Sequence, residues 1–304
     1  MRIAVAATPS VAIPSLDWLE TSNHKLALVI TQPDRPAGRG RSMRDSPVSK
    51  WANSHAIRCI KPVDALDMVK DLSAIDLVVT IGYGVILPTE ILAIPKYGFV
   101  NLHFSKLPKW RGAAPVQRAI LNGDQEIGLT VFGLDKGMDT GPIYIQGSLT
   151  IDPYENAGDV LQRMASLGPN LISESIASIE SGEAPRLQSG VGVSYAPKVS
   201  KEEARISWIH NASQIDRLIR AFTPEPGAWT LWRGDSLQIR RARPFQSQTG
   251  LNVGEFKVEA GNVIVGCGSN ESILIEEVIP AGKNRMSAKS WMNGARVLPG
   301  ESFV

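Results

Sequence analysis

The first half of the chain alternates short, almost continuously aliphatic runs with segments of helical spacing. The aliphatic runs span residues 2–6, 26–30, 57–60 and 77–81, and helical patterns span, for example, residues 65–72 and 157–180. Such runs are typical of strands that are buried on both faces of a parallel sheet. The alternation therefore predicts an α/β domain with a Rossmann-type open, mostly parallel sheet. Such sheets bind their ligands beyond the carboxyl ends of the strands.

The second half has a different pattern, which begins after a stretch rich in Gly, Ser and Pro around residues 182–192. One helix is predicted over residues 213–221. Five short strands are predicted over residues 229–232, 236–242, 254–258, 263–267 and 273–278, separated by turn signals. Their number and length favour a small OB-like β-barrel, although any small barrel would give this pattern. The sequence thus predicts a catalytic domain over residues 1–189, a linker over 190–206 and a smaller OB-like domain over 207–304.

Two polar side chains occupy the end of a further predicted strand that begins at Val100. Side chains alternate between the faces of a strand, so Asn101 and His103 share one face. Pro108 and Gly112 then end the strand pairing. An amide and an imidazole therefore leave the end of a strand on the same side, where an α/β sheet places its chemistry.

Composition and charge narrow the classes of function. The 304 residues are 43% hydrophobic and 20% charged, as in ordinary globular proteins, and the net charge of +2 does not by itself indicate a nucleic-acid partner. Only two cysteines and four histidines occur, which argues against a disulfide framework and against a metal site. The N-terminus enters a strand directly, without a signal peptide or membrane span, so we expect a cytoplasmic protein.

Asp139 adds a carboxylate to the amide and the imidazole, in a loop bracketed by Gly137 and Gly141. Together these groups suit an acyl-type transfer to an amine. Asn101 and a protonated His103 would stabilise an oxyanion, while Asp139 would orient the imidazole and assist proton removal. The chain has no Gly-x-Ser-x-Gly elbow and no nucleotide-binding fingerprint, which favours direct transfer. Each residue taken alone also fits a structural role: a strand cap, a satisfied core histidine and an Asx-turn.

The motifs carry a resemblance over the whole chain. They are Thr31-Gln32-Pro33-Asp34-Arg35-Pro36-Ala37-Gly38-Arg39-Gly40, Tyr83-Gly84-Val85-Ile86-Leu87-Pro88, Asn101-x-His103, Leu107-Pro108-x-Trp110-Arg111-Gly112-Ala113-Ala114-Pro115, Met138-Asp139-Thr140-Gly141, the linker from Tyr195 to Ile206, and Pro280-Ala281-Gly282-Lys283. With them the chain resembles the methionyl-tRNA formyltransferases of the folate-dependent formyltransferase superfamily. The resemblance implies transfer of a formyl group from 10-formyltetrahydrofolate to the α-amine of methionine on initiator tRNA.

The resemblance also implies roles for individual residues. Asn101, His103 and Asp139 match the catalytic residues; the folate-binding positions are Ser105, Lys106, Leu107 and Pro108, with Tyr83, Gly84 and Val85 in the loop that lines the pteridine pocket. Three positions depart from the family pattern. Ala7 replaces a glycine and should adjust its turn slightly. Phe104 also replaces a glycine, which requires a negative φ there, and Lys106 replaces a leucine and is expected to reach the glutamate tail of the folate.

Clusters of arginine agree with a tRNA partner. The tRNA-binding positions that we expect are Arg35, Arg39 and Arg41 in one loop, and Arg241 and Arg243 on a barrel strand. A solvated charged loop is the structural alternative. Two other functions stay open: another folate-dependent formyl enzyme, which would not need the arginines, and a non-enzymatic RNA-binding protein, which would not need the three polar positions. We expect a monomer that binds folate and tRNA.

Overall fold

The computed structural model describes residues 1–37, 42–247, 249–298 and 300–304. Their contacts divide into two compact units. The first contains Met1–Pro115, Glu126–Thr150 and Leu161–Pro197, and the second contains Val116–Gln125, Ile151–Val160 and Lys198–Val304. The second unit thus takes two segments from the stretch that composition assigns to the catalytic domain. The functional boundaries at residues 189 and 206 stay predictions.

Strands and helices alternate through the first 181 residues, as the hydrophobic pattern predicts. In chain order they are β1 (Arg2–Ala7), α1 (Ile13–Thr21), β2 (Lys25–Ile30), β3 (Arg35–Ala37), β4 (Ser42–Arg44), α2 (Pro47–Ser54), β5 (Cys59–Ile60), α3 (Val69–Leu72), β6 (Leu77–Ile81), α4 (Thr89–Leu92), β7 (Phe99–His103), α5 (Pro115–Asn122), β8 (Glu126–Gly133), β9 (Ile143–Thr150) and α6 (Ala157–Ser181). None of the helices in the described ranges is long and apolar enough to cross a membrane.

The sheet of the first unit has the strand order β5-β2-β1-β6-β7-β8-β9. The strands from β5 to β7 are parallel to one another, whereas β8 and β9 each run antiparallel to the preceding strand. All five residues of β6 are buried, as expected for a strand covered on both faces. The chain builds outward from β1 in both directions, so the order reverses between β1 and β6. That reversal opens a crevice at the carboxyl ends of these strands.

The sequence prediction missed parts of this unit. No pattern predicted β9, whose side chains are mostly half-buried or exposed because it forms the edge of the sheet. The helix predicted over residues 65–72 is a 3₁₀ turn, Ala65–Met68, followed by the single turn of α3. Asp64 and Asp67 form a capping box that stabilises the start of that turn. The mostly parallel α/β sheet itself is confirmed.

The second unit is built on an antiparallel sheet. Its elements are α7 (Ala212–Ala221), β10 (Trp229–Trp232), β11 (Asp235–Phe245), β12 (Phe256–Glu259), β13 (Asn262–Gly266), β14 (Ser272–Pro280), β15 (Met286–Ser287) and α8 (Ala288–Ala295). The strand order is β10-β11-β14-β13-β12, with β15 paired to β14. The five strands predicted from the sequence all occur, and β15 is an addition.

The C-terminal residues connect the two edges of this sheet. Val304 and Leu231 of β10 exchange two backbone hydrogen bonds of 3.0 Å. The preceding Phe303 donates its N–H to the carbonyl of Gly254 at 2.9 Å, and Phe256 of β12 donates to Glu301. The tail therefore lies between the first and last strands, which gives the sheet the closure expected of an OB-like barrel.

An aromatic cluster holds the tail in place. The Phe303 ring is buried and stacks on Phe256 at 4.5 Å and on Trp208 at 5.4 Å between ring centroids. The Trp291 ring of α8 lies 6.0 Å away. Because these rings come from four separate parts of the unit, Phe303 joins the tail, the sheet and α8 into one core.

We therefore predict that Phe303→Ala destabilises the second unit by about 3–5 kcal/mol, since a buried ring is replaced by a cavity. Urea unfolding followed by tryptophan fluorescence measures this, because Trp208 and Trp291 lie beside the ring. Val304→Ala is the matched control: its side chain is 68% exposed, so the change should be within about 0.5 kcal/mol. Equal midpoints for the two variants would show that the tail does not stabilise the barrel.

Candidate active site

Asn101 and His103 lie on one face at the carboxyl end of β7, as strand alternation predicts. Asn101 pairs with Thr80 of β6 in the parallel register, and the Thr80 hydroxyl donates to Asn101 Oδ1 at 2.9 Å. The Val100 carbonyl oxygen lies slightly farther from the same hydroxyl, at 3.1 Å. Donation to Oδ1 turns the carboxamide oxygen toward Thr80 and leaves the Asn101 Nδ2 hydrogens as donors for a ligand. Thr80 carries no signal in the sequence beyond its place in an aliphatic strand, and sequence reasoning missed it.

His103 is buried, with 7% of its side chain exposed. Its Nε2 lies 2.9 Å from the carbonyl oxygen of Trp110, and its ring meets Phe132 edge-on. A carbonyl can only accept a hydrogen bond, so Nε2 carries the hydrogen in neutral His103. The basic lone pair is therefore on Nδ1.

Asp139 faces that lone pair. Its Oδ2 lies 3.8 Å from His103 Nδ1 and accepts a hydrogen bond from the backbone N–H of Gly112 at 2.7 Å. Asp139 adopts a φ of +54°, in the left-handed region that few residues other than glycine enter. A single atom placed between Nδ1 and Oδ2 can lie within hydrogen-bond reach of both.

Burial decides the charge of His103 in the free protein. Removal from water lowers the pKa of His103 below its usual range, and this outweighs the opposing effects of the Asp139 carboxylate and of the Trp110 carbonyl. The protonated imidazole expected from the sequence concerns the oxyanion of the reaction intermediate, and that role stays a prediction; in the free protein the lowered pKa favours the neutral ring. His103 is neutral there, and its Nδ1 is available to accept a proton.

Residues Trp110 to Gly112 hold both partners. The Trp110 carbonyl fixes the imidazole, while the Gly112 N–H fixes the carboxylate. The segment is itself anchored, because the Trp110 N–H donates to the Ser194 hydroxyl at 2.9 Å. Gly112 has a φ of +119°, and a Cβ there would lie 2.7 Å from the Ala196 carbonyl oxygen. Only glycine fits at this position, which explains the Arg-Gly of the motif.

The predicted folate segment faces largely inward. Ser105 is fully buried and its hydroxyl donates to the Lys109 carbonyl at 2.6 Å, while Leu107 packs in a buried cluster. Lys106 is exposed, and its Nζ lies 3.3 Å from Glu126 Oε1. Phe104 is buried and keeps a negative φ, as its size requires. Ser105 and Leu107 thus shape the segment, and its main chain is bonded to Thr130 and Gln146, so exposed Lys106 and half-buried Pro108 are the side chains left for a ligand.

The loop after β6 extends toward the same edge of the sheet. The Tyr83 ring is buried, but its carbonyl accepts a hydrogen bond from Gln32 Nε2. Gly84 has a φ of +73° and lies close to the Gln32 side chain: a Cβ added at Gly84 would be 3.0 Å from Gln32 Nε2. Val85 is 44% exposed on this loop. The loop therefore presents backbone and aliphatic surface, and the Tyr83 ring belongs to the core.

The predicted tRNA-binding arginines divide into two groups. Arg241 and Arg243 each lie 3.0 Å from Glu276, so they share one face of β11 as alternation predicts. Arg39 and Arg41 fall outside the described residues, and for Arg35 only the backbone, in β3, is described. Their roles stay predictions.

Arg241 and Arg243 also line a cavity of about 550 Å³ within the second unit, which sequence reasoning missed. The other arginines that line it are Arg220, Arg240 and Arg285. In the described part of the chain, the buried Nε of Arg240 has no hydrogen-bond partner. Acidic side chains partly balance this charge, Asp216 and Glu276 among them. The cavity suits an anion.

A metal site requires a cluster of ligand side chains. Within the ranges that the structure describes, no group of three or more His, Cys, Asp or Glu side chains is placed to hold a metal ion. Asn101 and His103 at the end of β7, with Asp139 facing His103, offer an amide, an imidazole and a carboxylate, which can polarise a carbonyl and move a proton.

Comparison with known proteins gives the family. Residues 1–176 match the family described as formyl transferase, and residues 198–296 match the formyl transferase C-terminal domain. The methionyl-tRNA formyltransferase of Thermobifida fusca is 43% identical over 309 residues, which cover 100% of this chain and 99% of the relative.

Solved structures share the fold at lower identity. An N-formyltransferase from Helicobacter canadensis, in complex with folinic acid and dTDP-3-aminofucose, has a TM-score of 0.70 and 21% identity, with 90% of this chain and 98% of that chain covered. The methionyl-tRNA formyltransferase from Clostridium thermocellum has a TM-score of 0.58 and 19% identity, with 90% and 99% covered. Full-length identity to curated relatives, with both domains matched, makes this chain a member of the methionyl-tRNA formyltransferase family.

Proposed function

We propose that the chain transfers the formyl group of 10-formyltetrahydrofolate to the α-amine of methionyl initiator tRNA, giving N-formylmethionyl-tRNA for translation initiation. The observation that carries this proposal is the position of Asn101, His103 and Asp139 at one edge of the sheet, in a chain 43% identical over its whole length to a methionyl-tRNA formyltransferase. The protein acts in the cytoplasm as a monomer, with catalysis in residues 1–189 and tRNA binding in residues 207–304, joined by the linker 190–206.

The surface beside the site fits a folate. Val85 and Ile86 are exposed on the loop after β6, and Ile86 is 93% exposed. A flat heteroaromatic ring would cover such aliphatic side chains, while the backbone groups of Tyr83 to Val85 offer hydrogen bonds to its polar edge. The folate supplies the formyl group. Asn101, His103 and Asp139 stabilise the developing charge and transfer the proton.

Asn101 stabilises the charge that develops during transfer. Because Thr80 holds its Oδ1, the Nδ2 hydrogens are directed away from β6 and donate to the formyl oxygen. The hydrogen bond strengthens as that oxygen becomes negative, so Asn101 favours the transition state over the bound substrate.

His103 and Asp139 move the proton. Neutral His103 accepts a proton at Nδ1 from the attacking amine as the new C–N bond forms, and it returns that proton to the departing folate nitrogen. Asp139 Oδ2, at 3.8 Å, stabilises the imidazolium between these two steps. The Gly112 N–H keeps the carboxylate facing the ring.

The arginine-lined cavity of the second unit offers positive charge for the phosphates of tRNA. Burial, and then repulsion from Arg285, lower the pKa of Arg240, whose Nε lacks a partner in the described chain. A phosphate in the arginine-lined cavity would supply that partner and relieve the repulsion. Arg241 and Arg243 would exchange Glu276 for phosphate in the same way. Arg35, Arg39 and Arg41 serve the acceptor end.

One assay tests the function directly. Purified protein is given 10-formyltetrahydrofolate with methionyl initiator tRNA, with an amino-sugar nucleotide, or with water alone. We expect formylation of the charged tRNA only. Formylation of the sugar, or release of formate without an amine, would assign the chain to another folate-dependent activity.

We predict that His103→Ala, Asn101→Ala and Asp139→Ala each lower kcat by roughly a hundredfold or more, since each removes transition-state stabilisation. Single-turnover formylation measures this, with tRNA affinity and the fold, followed by circular dichroism, nearly unchanged. His55→Ala, an exposed histidine of the same unit, is the control and should keep normal turnover. Near-normal turnover of His103→Ala would eliminate the mechanism.

We also predict that His103 in the free protein titrates below the usual pKa of about 6.5, because its burial disfavours the cation. Asp139→Asn should lower that pKa further, since it removes the carboxylate that favours the charged ring. Histidine NMR signals measured against pH report both values, with His103→Gln used for assignment. A pKa above 6.5 would contradict the effect of burial, and a pKa above the pH of the assay would mean that His103 is a resting cation.

Finally, we predict that Arg39→Ala severely impairs formylation of charged tRNA and leaves folate binding intact. If Arg39 binds a phosphate, the salt dependence of tRNA affinity should become shallower by about one counterion. Arg58→Ala, which removes an arginine paired with Asp71 on the surface, is the control. Equal formylation by Arg39→Ala and the parent would leave this loop without a role in recognition.

A further inference from the structure

A glutamine outside the predicted site spans the turn that carries Asp139. Gln188 Nε2 donates to the carbonyl of Asp139 at 2.9 Å and to the carbonyl of Gly141 at 2.8 Å. One side-chain amide thus uses both of its hydrogens on the two carbonyls that flank Thr140. This matters because Asp139 has a φ of +54°, a conformation that persists only where the surroundings fix it.

The orientation of the Gln188 amide is itself determined. Its Oε1 accepts a hydrogen bond from Arg111 Nη2 at 2.6 Å. A guanidinium has only donors, so the amide oxygen must face Arg111 and the nitrogen must face the Asp139 turn. The residue after Arg111 is Gly112, whose N–H binds the Asp139 carboxylate. The segment Arg111–Gly112 therefore binds the Asp139 carboxylate directly and its main chain indirectly, through Gln188.

We propose that Gln188 is a positioning residue for the formyl transfer: it clamps the Asp139–Gly141 turn so that Asp139 Oδ2 faces His103 Nδ1. Within the described residues, the Gln188 side chain hydrogen-bonds to Arg111, Asp139 and Gly141 and to neither His103 nor the end of β7, so it acts through Asp139. The expected loss of kcat rests on the proposed function. The expected effect on the pKa of His103 rests on the geometry alone.

The clamp has an effect that a merely structural contact would lack. The Asp139 carboxylate is the charged group that acts on buried His103 and favours its protonated form. If the turn relaxes, the carboxylate moves away from the ring and the pKa of His103 falls. Loss of Gln188 should therefore reproduce the effect of Asp139→Asn on His103, although the carboxylate is still present.

The test is Gln188→Met, which keeps the length of the side chain and removes its amide. We expect kcat to fall roughly tenfold or more with little change in KM for tRNA, because the acceptor geometry is lost while binding is kept. NMR titration of the free protein should show a lower His103 pKa. In an Asp139→Asn background, Gln188→Met should change kcat by less than about twofold, since the clamp then has no carboxylate to place.

The chain offers a matched control in the same unit. Gln146 Nε2 donates to the Leu107 carbonyl at 2.9 Å and to the Thr130 hydroxyl at 3.0 Å, and its Oε1 accepts from Arg186 at 2.8 Å. Like Gln188, Gln146 donates two hydrogen bonds through Nε2 and accepts one from an arginine through Oε1. Its partners, however, support the predicted folate segment. Gln146→Met should therefore raise KM for the folate and leave the His103 pKa unchanged.

An unchanged His103 pKa in Gln188→Met, with kcat losses that add to those of Asp139→Asn, would overturn the proposal. If Gln188→Met does not fold, Gln188→Asn replaces it: its shorter amide cannot reach both carbonyls, and an intermediate pKa shift is expected. The titration needs no substrate. If the parent protein lacks formyl transfer but Gln188→Met lowers the His103 pKa, the proposed function is refuted and the positioning role of Gln188 is retained.

Discussion

The hydrogen bond from His103 Nε2 to the Trp110 carbonyl is the constraint on which the site depends. It assigns the hydrogen to Nε2 and so leaves the lone pair on Nδ1, the atom that faces Asp139 at 3.8 Å. It also ties the end of β7 to the segment that supplies the Gly112 N–H. With the other tautomer, the carboxylate would face an N–H, and His103 would have no basic atom at that position.

Two opposing effects set the charge of the imidazole. At 3.8 Å, a carboxylate and an imidazolium attract each other by about 4 kcal/mol at an effective dielectric constant of about 20. Burial disfavours the cation and outweighs the carboxylate in its effect, so the pKa of His103 is lowered overall. The ring therefore rests neutral and meets a stabilising charge only when it accepts a proton. This arrangement suits a group that must both take and return a proton within one reaction.

The turn at Asp139 shows how the fold holds an unfavourable conformation. A left-handed non-glycine residue costs about 1–3 kcal/mol. Two hydrogen bonds from Gln188, at about 1 kcal/mol each, together with the Gly112 bond to a charged oxygen, offset that cost. In the second unit, the C-terminal tail has a comparable role, since it bonds to both edge strands and buries Phe303 among the aromatic rings.

The sequence by itself determined the mostly parallel sheet, the five antiparallel strands and the common face of Asn101 and His103, because these follow from local hydrophobic periodicity and strand alternation. Its motifs determined the family. Only the tertiary structure decided what depends on groups distant along the chain. Burial by the surrounding sheet makes His103 neutral, a backbone carbonyl seven residues away selects its tautomer, and Gln188 reaches Asp139 across 49 residues. Edge strand β9 escaped prediction for the same reason: its partly exposed residues leave no hydrophobic pattern, and its place is set by pairing with β8.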